Sequence, residues 1–285
     1  MTRMDKNPKT LYVSDMDGTL LNSQSVLSGY TVSHLNTLIN DKGILFTVAT
    51  ARTPATVVPL MQDVKSRTPY VVMTGAALWH ADEERFSDVR VLDENVVGDI
   101  LEVFDAHHVN PFLYRRHGNQ IVVYHTKAAT KEELDFITPR VKTKRKRLVL
   151  VDRLDANDDD EALLVFSLGK YEVMNSVNNA IRERHLPCSP ACYYDIATPD
   201  NGILDIYGPN TTKALAIKSL ASSVGADRIV VFGDNRNDIP MMEMADYSVA
   251  VSNAYDEVKA VADEVIGSND EDSVVRWIEK DINSF

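Results

Sequence analysis

Residues Leu11–Thr19 read LYVSDMDGT. The run from Leu11 to Ser14 is short, apolar and partly β-branched. It predicts a buried strand that ends at Asp15. Two carboxylates two residues apart, Asp15 and Asp17, then stand at the strand's carboxyl end, followed by Gly18. Open α/β sheets place their active sites there. Glycine permits a sharp turn, so both side chains can face one point. Such a pair suits phosphoryl transfer: one carboxylate attacks phosphorus and becomes an acyl phosphate, and the other moves protons. A calcium loop starts in a similar way, but its twelfth position is a glutamate, and here that position is Val26.

The chain on either side supports a sheet with crossover helices. Ser28 caps a helix with Val32, Leu35, Leu38 and Ile39 on one face, and Gly43 stops it. Ile44–Thr50 is a second buried strand. Thr53-Pro54 opens another helix with a capping hydroxyl and an early proline, and Tyr70–Met73 is a third strand. The same grammar returns late in the chain. Ile217, Leu220, Ala221 and Val224 line a helix ended by Gly225, and Arg228–Gly233 and Tyr247–Val251 follow as strands. A last helix is predicted over Asp270–Lys280. Alternation of this kind argues a parallel sheet. The expected fold is α/β: a doubly wound, Rossmann-like core over residues 1–82 and 209–285, with an α+β cap inserted at 83–208.

Composition narrows the function classes. The 285 residues are 44% hydrophobic and 25% charged, as in globular proteins. No apolar run is long enough to span a membrane, and the first residues show no secretory pattern, so the expected location is cytoplasmic. A net charge of −12 disfavours nucleic acid and anionic membranes as partners. The two cysteines, Cys188 and Cys192, are expected as reduced thiols. A basic block, Lys142–Arg147, reads as a solvated helix end or loop, offset by the acidic Asp155–Glu161. Arg115-Arg116-His117-Gly118-Asn119 reads first as a solvated turn between strands, and second as a phosphate or sugar contact.

Three further elements join the first motif. Gly233-Asp234-Asn235-Arg236-Asn237-Asp238 follows an apolar strand, so Asp234 and Asp15 can share a Mg2+ ion. Lys213 stands near a helix start, where anions are favoured. Thr50 ends the second strand, and its hydroxyl and the next amides can donate to phosphate oxygens.

These four elements, in this order, resemble the haloacid dehalogenase superfamily of phosphatases, and their spacing resembles its Cof-type branch with a large inserted cap. The resemblance implies that Asp15 is the nucleophile and a metal ligand. Asp17 is implied as general acid/base, with its backbone carbonyl on the metal. Thr50, Lys213 and Asn237 would hold the phosphoryl group, Asp234 would bind Mg2+, and Asp238 would support the cluster or ligate instead. The implied substrate is a small phosphorylated metabolite, a sugar or polyol phosphate, over which the cap would close. A phosphohexomutase-type isomerase and a non-catalytic metabolite-binding relative remain alternatives, and the oligomeric state stays open. Two positions depart from the family pattern: Ala51 stands where a glycine is common, and Thr74 where an asparagine is.

Overall fold

The computed structural model describes residues 8–140, 142–195, 198 and 200–283. The chain divides into two compact units, Met1–Asp88 with Thr212–Phe285, and Val89–Thr211.

The first unit begins with β1 (Thr10–Ser14), buried along its whole length. Then come α1 (Gly29–Asp41), β2 (Leu45–Val48) and α2 (Pro54–Met61). Ser28 caps α1 by accepting from the Thr31 amide at 2.9 Å. Thr53 occupies the cap position of α2, but its hydroxyl makes no cap hydrogen bond. Next are β3 (Tyr70–Val72), β4 (Ala77–His80) and β5 (Arg85–Ser87). The expectation that the third strand extends the parallel sheet holds only at its first bridge. β3, β4 and β5 form a separate antiparallel sheet, tied to the second strand's end by one parallel bridge between Ala49 and Val71. The cause is local: Met73, Thr74 and Gly75 all take positive φ, which folds the chain straight back into β4.

The second unit runs through α3 (Glu94–Ala106), β6 (Phe112–His117), β7 (Gln120–His125), α4 (Lys131–Ile137), β8 (Lys142–Thr143) and β9 (Lys146–Leu150). It continues with β10 (Glu161–Lys170), α5 (Tyr171–Glu183), β11 (Ser189–Tyr194) and β12 (Asn201–Tyr207). Its strands form one seven-stranded sheet in the order β11-β12-β10-β6-β7-β9-β8, antiparallel except between β7 and β9. One face packs Leu113, Val165, Leu204 and Ile206 against Val97, Ile100 and Phe104 of α3 and Val177 and Ile181 of α5. Strand side chains alternate, so Phe112 and Phe166 face the other way, where Phe136 of α4 meets both rings.

Two charged segments correct their expectations at one residue each; elsewhere Gly118-Asn119 is the exposed turn between β6 and β7, and Lys144 and Arg147 are exposed, as expected. The basic block lies in the β8–β9 hairpin, and Lys146 is buried beside the Tyr114 ring. Arg115 is only 1% exposed and lies inside β6. It donates to the backbone carbonyls of Asp155, Ala156 and Asp160 at 3.1, 2.6 and 2.5 Å. The acidic block supplies these carbonyls, so Arg115 works as a loop clamp.

The chain then re-enters the first unit with α6 (Lys213–Val224), β13 (Arg228–Gly233), α7 (Ile239–Met244) and β14 (Tyr247–Val251). It ends with α8 (Asp256–Val261), β15 (Glu264–Ile266) and α9 (Ser273–Ile282). The core sheet is wholly parallel, in the order β15-β14-β13-β1-β2. From β1 the chain steps to β2 on one side; on its return it adds β13, β14 and β15 on the other. The reversal falls between β1 and β13, the place where open α/β sheets bind ligands. No helix among the described residues is long and apolar enough to cross a membrane.

Candidate active site

The carboxyl ends of β1 and β13 bring two acidic loops together. The Asp15 amide donates to the Phe232 carbonyl at 2.9 Å, which fixes where β1 ends. Gly18 has φ +81, and a Cβ there would lie 2.5 Å from Asp234 Oδ2. Only glycine lets the first loop come this close to the second. Asn253 Nδ2 holds the same turn from outside, donating to the Gly18 carbonyl at 2.7 Å.

Asp15, Asp234 and Asp238 each offer a carboxylate oxygen within 4.8 Å of the others. Lys213, the first residue of α6, is 2% exposed and enters this cluster. Its Nζ donates to Asp15 Oδ1 at 2.5 Å and to Asp238 Oδ1 at 2.7 Å. The other Asp238 oxygen accepts the amides of Asp234 and Asn235, both at 3.1 Å. Asp238 is therefore fully engaged in positioning Lys213 and the loop. Asp234 Oδ1 accepts from the Thr19 hydroxyl at 2.6 Å. What remains is one oxygen each on Asp15 and Asp234, Oδ2 in both, with no hydrogen-bond donor among the described residues.

Burial sets the electrostatics. It pushes the Asp15 carboxyl well above the usual carboxylate range, Lys213 pulls it back, and Asp238 and Asp234 push it up further. Asp234 is raised to about 6, again by burial, with the Thr19 hydrogen bond opposing. For Lys213, burial opposes the charge, yet Asp15 and Asp238 outweigh it and hold the ammonium protonated. Three carboxylates thus face a single ammonium, an excess of negative charge. The donor set is all oxygen, with two open atoms. That fits a hard divalent cation such as Mg2+, which prefers carboxylate oxygens and keeps some water.

Asp17 and Thr50 lie at the neighbouring loop. The Asp17 side chain turns to Arg52, which donates from Nε to Oδ2 at 2.7 Å and from Nη2 to Oδ1 at 2.6 Å. The backbone of Thr50 is pinned on both sides: its amide donates to Val71 and its carbonyl accepts from Thr74, both at 3.0 Å. Its hydroxyl accepts from the Arg52 amide at 3.2 Å. Ala51 is not among the residues with positive φ, so alanine in place of glycine imposes no backbone strain. Thr74, by contrast, takes φ +56. Beside it, Gly75 is essential, since a Cβ would fall 2.3 Å from the Thr212 carbonyl just before Lys213. Asn237 is exposed and its side chain has no hydrogen bond among the described residues.

The structure therefore gathers Asp15, Lys213, Asp234 and Asp238, and sets Asp17 and Asn237 outside that group. Sequence reasoning passed over Thr19, Arg52 and Asn253. Thr19 closes the first motif and Arg52 stands two residues after Thr50, and those positions were the available signal. Asn253 lies in a loop with no such marker.

This fold and acidic crevice define a phosphoryl-transfer class of hydrolase. The sequence profile of the haloacid dehalogenase-like hydrolases matches residues 12–278. The chain belongs to that family and is a phosphatase of its Cof type. It is 24% identical over 273 residues to the 5-amino-6-(5-phospho-D-ribitylamino)uracil phosphatase YitU of Bacillus subtilis, covering 95% of this chain and 96% of that one. It is 25% identical over 270 residues to the pyridoxal phosphate phosphatase YbhA of Escherichia coli, covering 93% and 95%. The crystal structure of a haloacid dehalogenase-like hydrolase from Bacteroides thetaiotaomicron superposes with a TM-score of 0.76 at 22% identity, over 95% of this chain and 98% of that one.

Proposed function

We propose that the chain is a Mg2+-dependent phosphohydrolase of a small phosphorylated metabolite, a sugar or polyol phosphate, working through an aspartyl phosphate on Asp15. The observation that carries this reading is the Lys213 bridge. Lys213 holds one oxygen of Asp15 and leaves Oδ2 without a donor. A nucleophile needs this arrangement: fixed orientation, one free lone-pair-bearing atom, and a cation close by.

In the first step Asp15 Oδ2 attacks phosphorus and the ester P–O bond breaks. Asp17 gives a proton to the departing alcohol oxygen. Water then attacks the phosphorus, Asp17 takes its proton, and the bond from phosphorus to Asp15 breaks, releasing inorganic phosphate. Both Asp17 oxygens accept from Arg52 in this structure, so Asp17 can act as the acid only once that pair opens and one oxygen carries a proton. The Thr50 hydroxyl and Lys213 hold the transferring oxygens. Asp15, Asp234 and the Asp17 backbone carbonyl would hold Mg2+. The ion would offset the repulsion between an anionic nucleophile and an anionic ester. Asp238 acts through Lys213.

The substrate class draws on YitU, named for a phosphorylated ribityl chain, and YbhA, named for pyridoxal phosphate. The test is phosphate release from a panel of sugar, polyol, nucleotide and cofactor phosphates, with Mg2+ and with chelator. Asp15→Asn is run beside wild type. Release that needs both Mg2+ and Asp15 is expected. Activity retained in Asp15→Asn would overturn the nucleophile, and phosphoryl shift without free phosphate would favour a mutase.

A further inference from the structure

The turn that follows Asp17 is held from outside by two asparagines that the chemistry above does not use. Asn253 lies in the loop after β14, and Asn269 lies in the turn before α9. Asn253 Nδ2 donates to the Gly18 carbonyl at 2.7 Å, and Asn269 Nδ2 donates to the Leu21 carbonyl at 2.9 Å. The two asparagines are also joined to each other: the Asn269 amide donates to Asn253 Oδ1 at 3.0 Å. Both ends of the Gly18–Leu21 turn are thus tied to one bridge. A carboxamide suits position 253 because its nitrogen donates while its oxygen accepts. A carboxylate there would face the Gly18 carbonyl with no proton to give.

The same loop reaches the other acidic loop. The Tyr255 amide donates to the Asp234 carbonyl at 3.0 Å. Residues 253–255 therefore hold Gly18 and Asp234 together, one from each loop. Inside the crevice these loops meet through the Thr19 hydroxyl on Asp234 Oδ1, at 2.6 Å. Gly18, at φ +81, separates the Asp17 carbonyl from Thr19. Glycine has the freest backbone of any residue, so fixing its carbonyl from outside removes a freedom the turn would otherwise keep. Asn253 is exposed, and water can satisfy both its groups when the bridge is lost. Its value lies in position rather than in folding.

We propose that Asn253 and Asn269 are positioning residues that fix the spacing of the two acidic loops, and with it the spacing of the oxygens that receive Mg2+. The kinetic effect rests on the phosphatase reading. The effect on Mg2+ binding rests on the acidic cluster alone.

The test compares wild type with Asn253→Ala, Asn269→Ala and the double variant. Calorimetry measures Mg2+ binding without ester, and phosphate release from the best ester of the panel is followed as Mg2+ is raised. Asn253→Ala should weaken Mg2+ binding about tenfold, the scale on which groups that orient metal ligands act. The Mg2+ concentration at half-maximal rate should rise by the same factor, with KM for the ester unmoved. Asn269→Ala should cost less, since its backbone amide still reaches Asn253. The double variant should cost less than the product of the two, because both residues share one bridge. A purely structural loss would reduce the amount of active protein without moving the Mg2+ dependence. Asn269→Ala carries the comparison if Asn253→Ala does not fold. Wild-type Mg2+ affinity in the folded single variants would overturn the proposal, whatever their rates. A full product of losses in the double variant would overturn the shared bridge. Weakened Mg2+ binding in a protein that releases phosphate from no ester would sink the phosphatase reading and keep the bridge. No Mg2+ binding in wild type would overturn the bridge's role, and phosphate release would then decide the phosphatase reading by itself.

Discussion

Asp15 and Asp205 are both buried carboxylates at less than a tenth exposure, one in each unit, yet their surroundings differ in kind. Asp15 has a buried lysine at 2.5 Å, shared with Asp238, which is itself held by two amides. Asp205 has one tyrosine hydroxyl. In the core unit, the protein supplies one lysine and two amides to three carboxylates, and leaves two oxygens and a net negative charge open. In the inserted unit it supplies a single hydroxyl to a single carboxylate. A lysine-bridged cluster with an excess of negative charge and two open oxygens is built to hold fixed geometry and to take a cation. A carboxylate with one hydroxyl donor carries its burial as a cost that depends on pH.

Removing Lys213 should make the core cluster resemble Asp205 and worse. Lys213→Ala strands Asp15 and Asp238 without a cation, and the expected loss is about 3–5 kcal/mol of unfolding free energy. Chemical denaturation measures it. Adding Asp238→Asn to that variant should recover part of the loss, because one of the two stranded charges is gone. Additive effects would instead mean that the bridge carries no coupling.

The converse holds for Asp205. Its folded-state pKa lies above the unfolded value, so the penalty is absent below about pH 4 and fully present above about pH 6. Asp205→Asn is therefore expected to stabilise the protein by up to about 3 kcal/mol at pH 7.5, with the gain vanishing below pH 4. Denaturation midpoints across that range check it. A destabilised variant at neutral pH would show that Asp205 is compensated in the free protein.

A smaller effect is expected at the loop beside Thr50. Thr74 is β-branched and holds φ +56, a conformation that asparagine tolerates far better. Thr74→Asn should raise stability by about 1 kcal/mol at most, read as a shift in denaturation midpoint. No shift would place the strain elsewhere in the Met73–Gly75 turn.

The ends of β1 and β13 were legible in the sequence because their signals are local: an apolar run that stops at an aspartate. The partners of Asp15 also followed from ordered motifs. What was not legible depends on distant segments or on unusual backbone. The return of β3 into β4 hinges on left-handed Met73 and Thr74, residue types that do not announce such a conformation. The burial of Arg115 depends on carbonyls some forty residues later. Lys146 looked solvated within a basic run, yet it is tucked beside Tyr114 in a parallel pairing with β7. Asp205 is a lone acid in ILDIY, where alternation alone would place it on a wet face. Its deficit of partners shows only when the strands on both sides are in place.

The central claim is that Asp15 Oδ2, left open by the Lys213 bridge, is the atom that takes the phosphoryl group. The direct test is acid quenching during turnover with Mg2+ and the best ester of the panel, followed by peptide mass analysis. The account predicts one added phosphoryl group on the peptide that carries Asp15, absent from Asp15→Asn. Full turnover in wild type with the label on any other residue would contradict it.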